Sequence, residues 1–249
     1  MTTHIARVLE RYTIPLEEPD GDRDPWFMDW VLRSPKEAGH HLTAGWHAYR
    51  SLLQIYGPGE IVSAHESFGG MGAQSLMIED LFAPQTHSVG EYSNEAVDHL
   101  RKLLSPMEST VVNRIDAYAD PLPRDMDLYG LDFGDLTVWK TRDGEPHREL
   151  LDEVFSNEPK AVVFTDIACR YLHLHVSRYE SLLGPGTCSS YGTYLRALLA
   201  RLEVLYGYSL VAGYWDRWST VMALVPSELV TGRGALQETP EDPVGLELL

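Results

Sequence analysis

The chain has 249 residues, 44% of them hydrophobic, and a formal net charge of −17. That length suits one large domain, or one domain with a modest extension, and supplies enough apolar side chains for a sizeable core. The charge repels a phosphate backbone over most of the surface and disfavours extended nucleic-acid binding, and no apolar run reaches the roughly 18 residues of a membrane span.

The first residues lack a basic start followed by an apolar stretch, so no secretory signal is read and a cytoplasmic protein is expected. Cys169 and Cys188 are not spaced as a Cys-x-x-Cys pair and read as free intracellular thiols. Residues 13–25 are rich in proline and acid, as in a loop or linker. Residues 26–56 carry apolar side chains at helical spacing, which predicts one or two helices. Residues 1–58 therefore read as an N-terminal helical extension and linker.

From Gly59 onward strands and helices alternate. Residues 60–68 read as a strand ended by glycines, and 73–82 as a helix. A short strand at 87–92 precedes a helix at 94–104, with Ala96, Val97, Leu100, Leu103 and Leu104 on one side. Strands follow at 111–115 and 126–133, then a helix near 148–155. Residues 161–165 form a compact apolar run, as in a buried parallel strand. A long helix at 191–205 leads into strands at 209–214 and 219–225, separated by Trp215-Asp216-Arg217-Trp218, a plausible hairpin turn. The pattern predicts an α/β fold: a mainly parallel, seven-stranded Rossmann-like sheet with helices on both faces and a terminal antiparallel hairpin. This domain spans residues 59–230, and residues 231–249 form an acidic C-terminal tail.

The strongest local signal is the turn Glu66-Ser67-Phe68-Gly69-Gly70-Met71-Gly72 after the first strand. Open α/β sheets bind ligands at the carboxyl ends of their strands, near this point. Glycine there permits φ > 0 and close approach of a ligand to the backbone, and the next helix offers free N–H groups, first among them those near Gln74. The same glycines equally suit a tight strand–helix connection. Glu91, about 20 residues beyond the turn, sits where an acid accepts both hydroxyls of a ribose; a strand-end acid or a helix cap is the alternative. Asp116 follows the third strand and could accept an adenine amino proton, with Ala117 and Tyr118 beside it and the Tyr118 ring packed on the base.

Residues 60–225 resemble a class I S-adenosylmethionine-dependent methyltransferase. Glu66-x-Phe68-x-Gly70-x-Gly72 is similar to that family's first motif, which implies that Glu66 lies near the methionine part of the cofactor. The stretch from Glu91 and Tyr92 to Val97 resembles the second motif, with Glu91 as ribose ligand. Ile115-Asp116-Ala117 resembles the third, with Asp116 near adenine. The resemblance implies S-adenosylmethionine as cofactor and an acceptor that stays unspecified. Methyltransferases acting on base amino groups commonly carry Asp/Asn-Pro-Pro-aromatic after the fourth strand, whereas this chain has Leu131-Asp132-Phe133-Gly134-Asp135. Neither the proline nor the cysteine nucleophile of cytosine-C5 enzymes is present. Asp132 holds the general place of a residue contacting substrate or the cofactor's amino group, and is the candidate catalytic residue.

Two other readings stand beside this one. A catalytically silent domain of the same fold, acting through a protein partner, suits the acidic surface and the altered fourth motif. A nicotinamide-dependent oxidoreductase also has a glycine turn and a later acid, but the third glycine is missing and Glu66 would face a pyrophosphate. His173-x-His175 with Cys169, and His40-His41 with His47, offer imidazoles, yet no recognised ligand spacing completes either set and no metal is expected. The aromatics Trp26, Phe27, Trp30, Trp46 and Tyr49 are spaced for helix packing, with a covering role over the cofactor cleft as the alternative.

Overall fold

The structure, a computed structural model, describes residues 35–69, 72–117, 120–132, 148–166, 172–174, 176–215, 219–232 and 234–238. Helix α1 (Pro35–Tyr56) precedes β1 (Ser63–Ser67), α2 (Ala73–Phe82), β2 (Thr86–Glu91), α3 (Asn94–Leu103) and β3 (Thr110–Arg114). Then come β4 (Leu128–Leu131), α4 (Arg148–Ser156), β5 (Ala161–Asp166), α5 (Val176–Leu183), α6 (Tyr191–Tyr206), β6 (Tyr208–Trp215), β7 (Thr220–Pro226) and β8 (Ala235–Glu238).

The strands form one sheet in the order β3-β2-β1-β4-β5-β7-β6-β8. Strands β1 to β5 run parallel, while β7 lies antiparallel between β5 and β6. This is the mainly parallel sheet with a terminal hairpin expected from the sequence. Strand β8 adds an eighth, short strand, parallel to β6, within the segment expected to be an acidic tail.

Side chains alternate between the two faces of the sheet, as the strand period of two requires. On one face Ala64, Leu128, Val163, Val221 and Ala223 pack with Trp46, Tyr49 and Leu52 of α1 and Met77 and Ile78 of α2. On the other, Tyr129, Leu131, Val162, Phe164 and Met222 pack with α4 and α6 through Val154, Tyr194, Leu198 and Leu202. Full burial of a large apolar side chain contributes about 1.5–3 kcal/mol, and Trp46, Tyr49 and Leu52 are at most 1% exposed. Helix α1 is thus built into the same core as the sheet.

Local chemistry sets the element ends. The amides of Val62 and Ser63 donate to the Asp127 carboxylate at 2.8 and 3.3 Å, so β1 begins at Ser63, three residues later than its apolar pattern suggests. Ser93 caps α3 by accepting from the Ala96 amide, and Gly207 ends α6 in the left-handed conformation with φ 73°. Both are the residue types that helix ends favour. Residues 172–174 form a 3-10 turn in which His173 is exposed; His175 and Cys169, singled out with it, lie outside the described residues.

Candidate functional site

The carboxyl ends of β1, β2, β3 and β4 gather the residues singled out from the sequence. Beyond β1 the chain turns sharply: Phe68 takes φ 65°, Gly69 donates its amide to the Gly90 carbonyl at 3.0 Å, and Gly72 takes φ 82°. A left-handed conformation at a bulky residue such as Phe68 is strained. A Cβ added to Gly69 would lie 2.6 Å from Val89 Cγ1, so glycine here also serves the tight packing of the turn on β2. Gly72 is the N-cap of α2 and makes no side-chain capping bond. The first-turn amides of α2 thus face the site without a capping side chain, as suits an anionic ligand group. Gly70 and Met71 lie outside the described residues.

Glu66 points to the α1–α2 face and is 1% exposed; its neighbours in register are Val89 and Gly130. The Ser75 hydroxyl, from the first turn of α2, donates to its carboxyl group. Burial pushes the Glu66 carboxyl up to about 8, opposed by the Ser75 bond and reinforced by the charges of Asp132 and Glu91. Gln74 is also buried, and its Oε1 accepts the Tyr49 hydroxyl at 2.8 Å. Glu66 and Gln74 therefore stand behind the turn.

Glu91, half-buried at the end of β2, accepts the amides of Tyr92 and Ser93 through one oxygen at 2.7 and 3.1 Å. This fixes the carboxylate at the strand end, while the capping of α3 falls to Ser93. The Tyr92 ring is exposed, with the Arg114 guanidinium 5.8 Å from its centre. Asp116 begins a turn in which its amide donates to Asp120 at 2.9 Å. Ala117 is buried in the core on the α4–α6 face, and Tyr118 lies outside the described residues. The amide of Asp132 bonds the Ser67 carbonyl at 3.4 Å, which holds this acid beside the end of β1. Phe133, Gly134 and Asp135 lie outside the described residues.

Two features escaped the sequence reading. Asp166, wholly buried at the end of β5, accepts the hydroxyls of Tyr194 and Tyr191 at 2.8 and 3.2 Å. Tyr191 also contacts the Thr220 hydroxyl at 2.7 Å, so this carboxylate joins α6 to β5 and β7. His65 is buried edge-to-face with Tyr129 and bonded to the Ser67 hydroxyl at 2.9 Å; burial, with His87 adding to it, pushes its imidazole down to about 3. Apart from Ser67, these partners lie between 22 and 64 residues apart in the chain and carry no local signal.

Among the described residues no group of three or more His, Cys, Asp or Glu side chains is arranged to hold a metal ion, and no helix is long and apolar enough to cross a membrane. The set at the β1–β3 ends fits a nucleoside-bearing ligand: a braced carboxylate at β2, an aromatic beside it, an acid at β3 and an uncapped helix start.

The strand order, with β7 inserted antiparallel between β5 and β6, is that of the class I S-adenosylmethionine-dependent methyltransferase fold. Solved structures with this fold match nearly the whole chain. The plantazolicin methyltransferase BpumL, crystallised with S-adenosylhomocysteine, has a TM-score of 0.55 at 11% identity, covering 89% of this chain and 94% of its own. The magnesium protoporphyrin IX methyltransferase of Synechocystis PCC 6803, also with bound S-adenosylhomocysteine, scores 0.51 at 15% identity, covering 89% and 92%. A Pyrococcus horikoshii protein assigned as an RNA methyltransferase scores 0.52 at 14% identity, covering 89% and 98%. No protein-family profile and no curated sequence matches the chain. Nothing in these likenesses supports the oxidoreductase reading, whose usual sheet lacks the inserted antiparallel strand.

Proposed function

We propose that this chain is a cytoplasmic methyltransferase that binds S-adenosylmethionine across the carboxyl ends of β1, β2 and β3. The observation that carries the reading is the Glu91 carboxylate, braced by two backbone amides at the end of β2 and one strand away from the left-handed turn at Gly72. In this reading Glu91 takes the ribose hydroxyls, and Asp116 takes the adenine amino group beside Ala117 and Tyr118. Phe68, Gly70 and Gly72 shape the turn, the uncapped backbone amides of α2 near Gln74 meet the polar end of the donor, and Tyr92 borders the sugar. Glu66 stands behind the turn, near the methionine part of the donor, and braces the first turn of α2 through Ser75.

The donor supplies a methyl group already activated on a sulfonium, so the protein's part is in-line positioning and removal of an acceptor proton. In this reading Asp132, just past the end of β4, takes that proton or contacts the donor's amino group. The absence of the proline-bearing fourth motif in residues 131–135 favours one second reading, a silent domain of the same fold that acts through a protein partner.

The test is transfer of labelled methyl from S-adenosylmethionine to protein, nucleic-acid and metabolite pools. Label in one pool, lost in Asp132→Asn, supports catalysis and names the acceptor class. Donor binding without transfer to any pool supports the silent domain.

A further inference from the structure

We infer that Tyr49 of helix α1 is a positioning residue for donor binding, which makes the N-terminal helix a working wall of the site; the inference rests on the donor-binding reading above. The Tyr49 hydroxyl donates to Gln74 Oε1 at 2.8 Å between two buried side chains. Gln74 is followed at once by Ser75, whose hydroxyl holds Glu66. Consecutive residues of one helical turn are thus tied to α1 on one side and to β1 on the other. The turn so fixed is the one that presents its amides to the site.

Strand β4 is cut away to admit the phenol. A Cβ at Gly130, the register partner of Glu66, would lie 2.5 Å from the Tyr49 oxygen, closer than real Cβ contacts allow. Helix α1 also carries its own control. Tyr56, seven residues on, donates to the Lys160 carbonyl just before β5, at the amino ends of the strands and away from the site. Removing either hydroxyl leaves one buried or half-buried acceptor unpaired, at a similar cost in stability. Only the Tyr49 change loosens the first turn of α2.

The experiment is calorimetric titration of the full chain with S-adenosylhomocysteine for wild type, Tyr49→Phe and Tyr56→Phe. Tyr49→Phe is expected to weaken binding about tenfold, and Tyr56→Phe to stay within about twofold at comparable thermal stability. A second readout is the pH profile of binding. Glu66 is faced by Ser75 of α2, Tyr49 of α1, Asp132 just past β4 and Glu91 of β2. A looser Ser75 bond moves the Glu66 midpoint upward in Tyr49→Phe, and Tyr56→Phe leaves it in place. Wild-type affinity in Tyr49→Phe, or equal weakening by both variants, overturns the inference. Should Tyr49→Phe fail to fold, Gly130→Ala displaces the hydroxyl instead, and undiminished affinity in that variant also overturns it. No binding by the wild type at all removes the donor-binding reading, and this inference with it.

Discussion

The hydroxyl of Ser75 donates to the buried carboxyl of Glu66, joining the first turn of α2 to the end of β1 directly behind the glycine turn. The two groups occupy a place that the chain leaves almost without water, so the proton on Glu66 becomes part of the fold.

That proton gives the first prediction. The folded-state value of about 8 lies above the ordinary 4.5, so the protonated form is favoured by folding. Its stabilising contribution is complete below about pH 4.5, declines as pH rises, and is lost above about 8. Thermal melts of the ligand-free protein should fall across this window. Glu66→Gln should flatten the profile and melt higher than wild type at pH 8.5. Parallel melting curves for the two proteins across the window would refute the buried proton.

Glu91 gives the second. Hydrogen bonds to a charged group contribute about 1.5–3 kcal/mol. Glu91→Ala should therefore weaken S-adenosylhomocysteine binding at least tenfold, with the fold retained because Ser93 still caps α3. Equilibrium dialysis measures this, and an unchanged dissociation constant would remove Glu91 from the site.

Gly72 gives the third. At φ 82° a β-branched residue is strained by roughly 1–2 kcal/mol, and each kcal/mol corresponds to about 2–4 °C in a domain of this size. Gly72→Val should melt several degrees lower and lose donor binding. A folded Gly72→Val with wild-type affinity would show that the glycine turn is not the binding turn.

At the amino edge of the sheet, Glu79 accepts the Thr110 hydroxyl and pairs with buried His87, both at 2.7 Å. Burial opposes its charge, yet these bonds hold the carboxyl below its ordinary range. A depressed value contributes stability above pH 4.5 that is lost as the pH falls through the folded value. Glu79→Gln should therefore lower the melting temperature at neutral pH, converge on wild type in acid, and leave S-adenosylhomocysteine affinity unchanged. Weakened affinity at matched stability would mean that the amino edge communicates with the site.

Much of this framework was legible in the sequence because its cues are local. Helix α2 runs over Ala73–Phe82, the expected span, since the glycine turn and the helical spacing of apolar residues both mark it. Helix α3 is announced by apolar residues on one side, while its cap is Ser93 and not Glu91, for which a capping role is the alternative in the sequence. What stayed hidden depends on distant partners. Strand β8 forms within a turn-rich, acidic segment because β6 offers a free edge to pair with. Helix α5 is short, and no strong cap or periodicity signals it. At the site, the residue types and their order were readable, whereas orientation was not. Glu66 and Gln74 turn behind the glycine turn because Ser75 and Tyr49 meet them there, and Tyr49 stands 25 residues from Gln74 in the chain.

The central claim is a donor site built on the glycine turn and Glu91, and the most direct test is calorimetric titration of the wild-type chain with S-adenosylhomocysteine, S-adenosylmethionine and NAD. The account predicts saturable binding of both sulfur nucleosides at one site per chain and none of NAD. Saturable binding of NAD alone, or of none of the three, would contradict it.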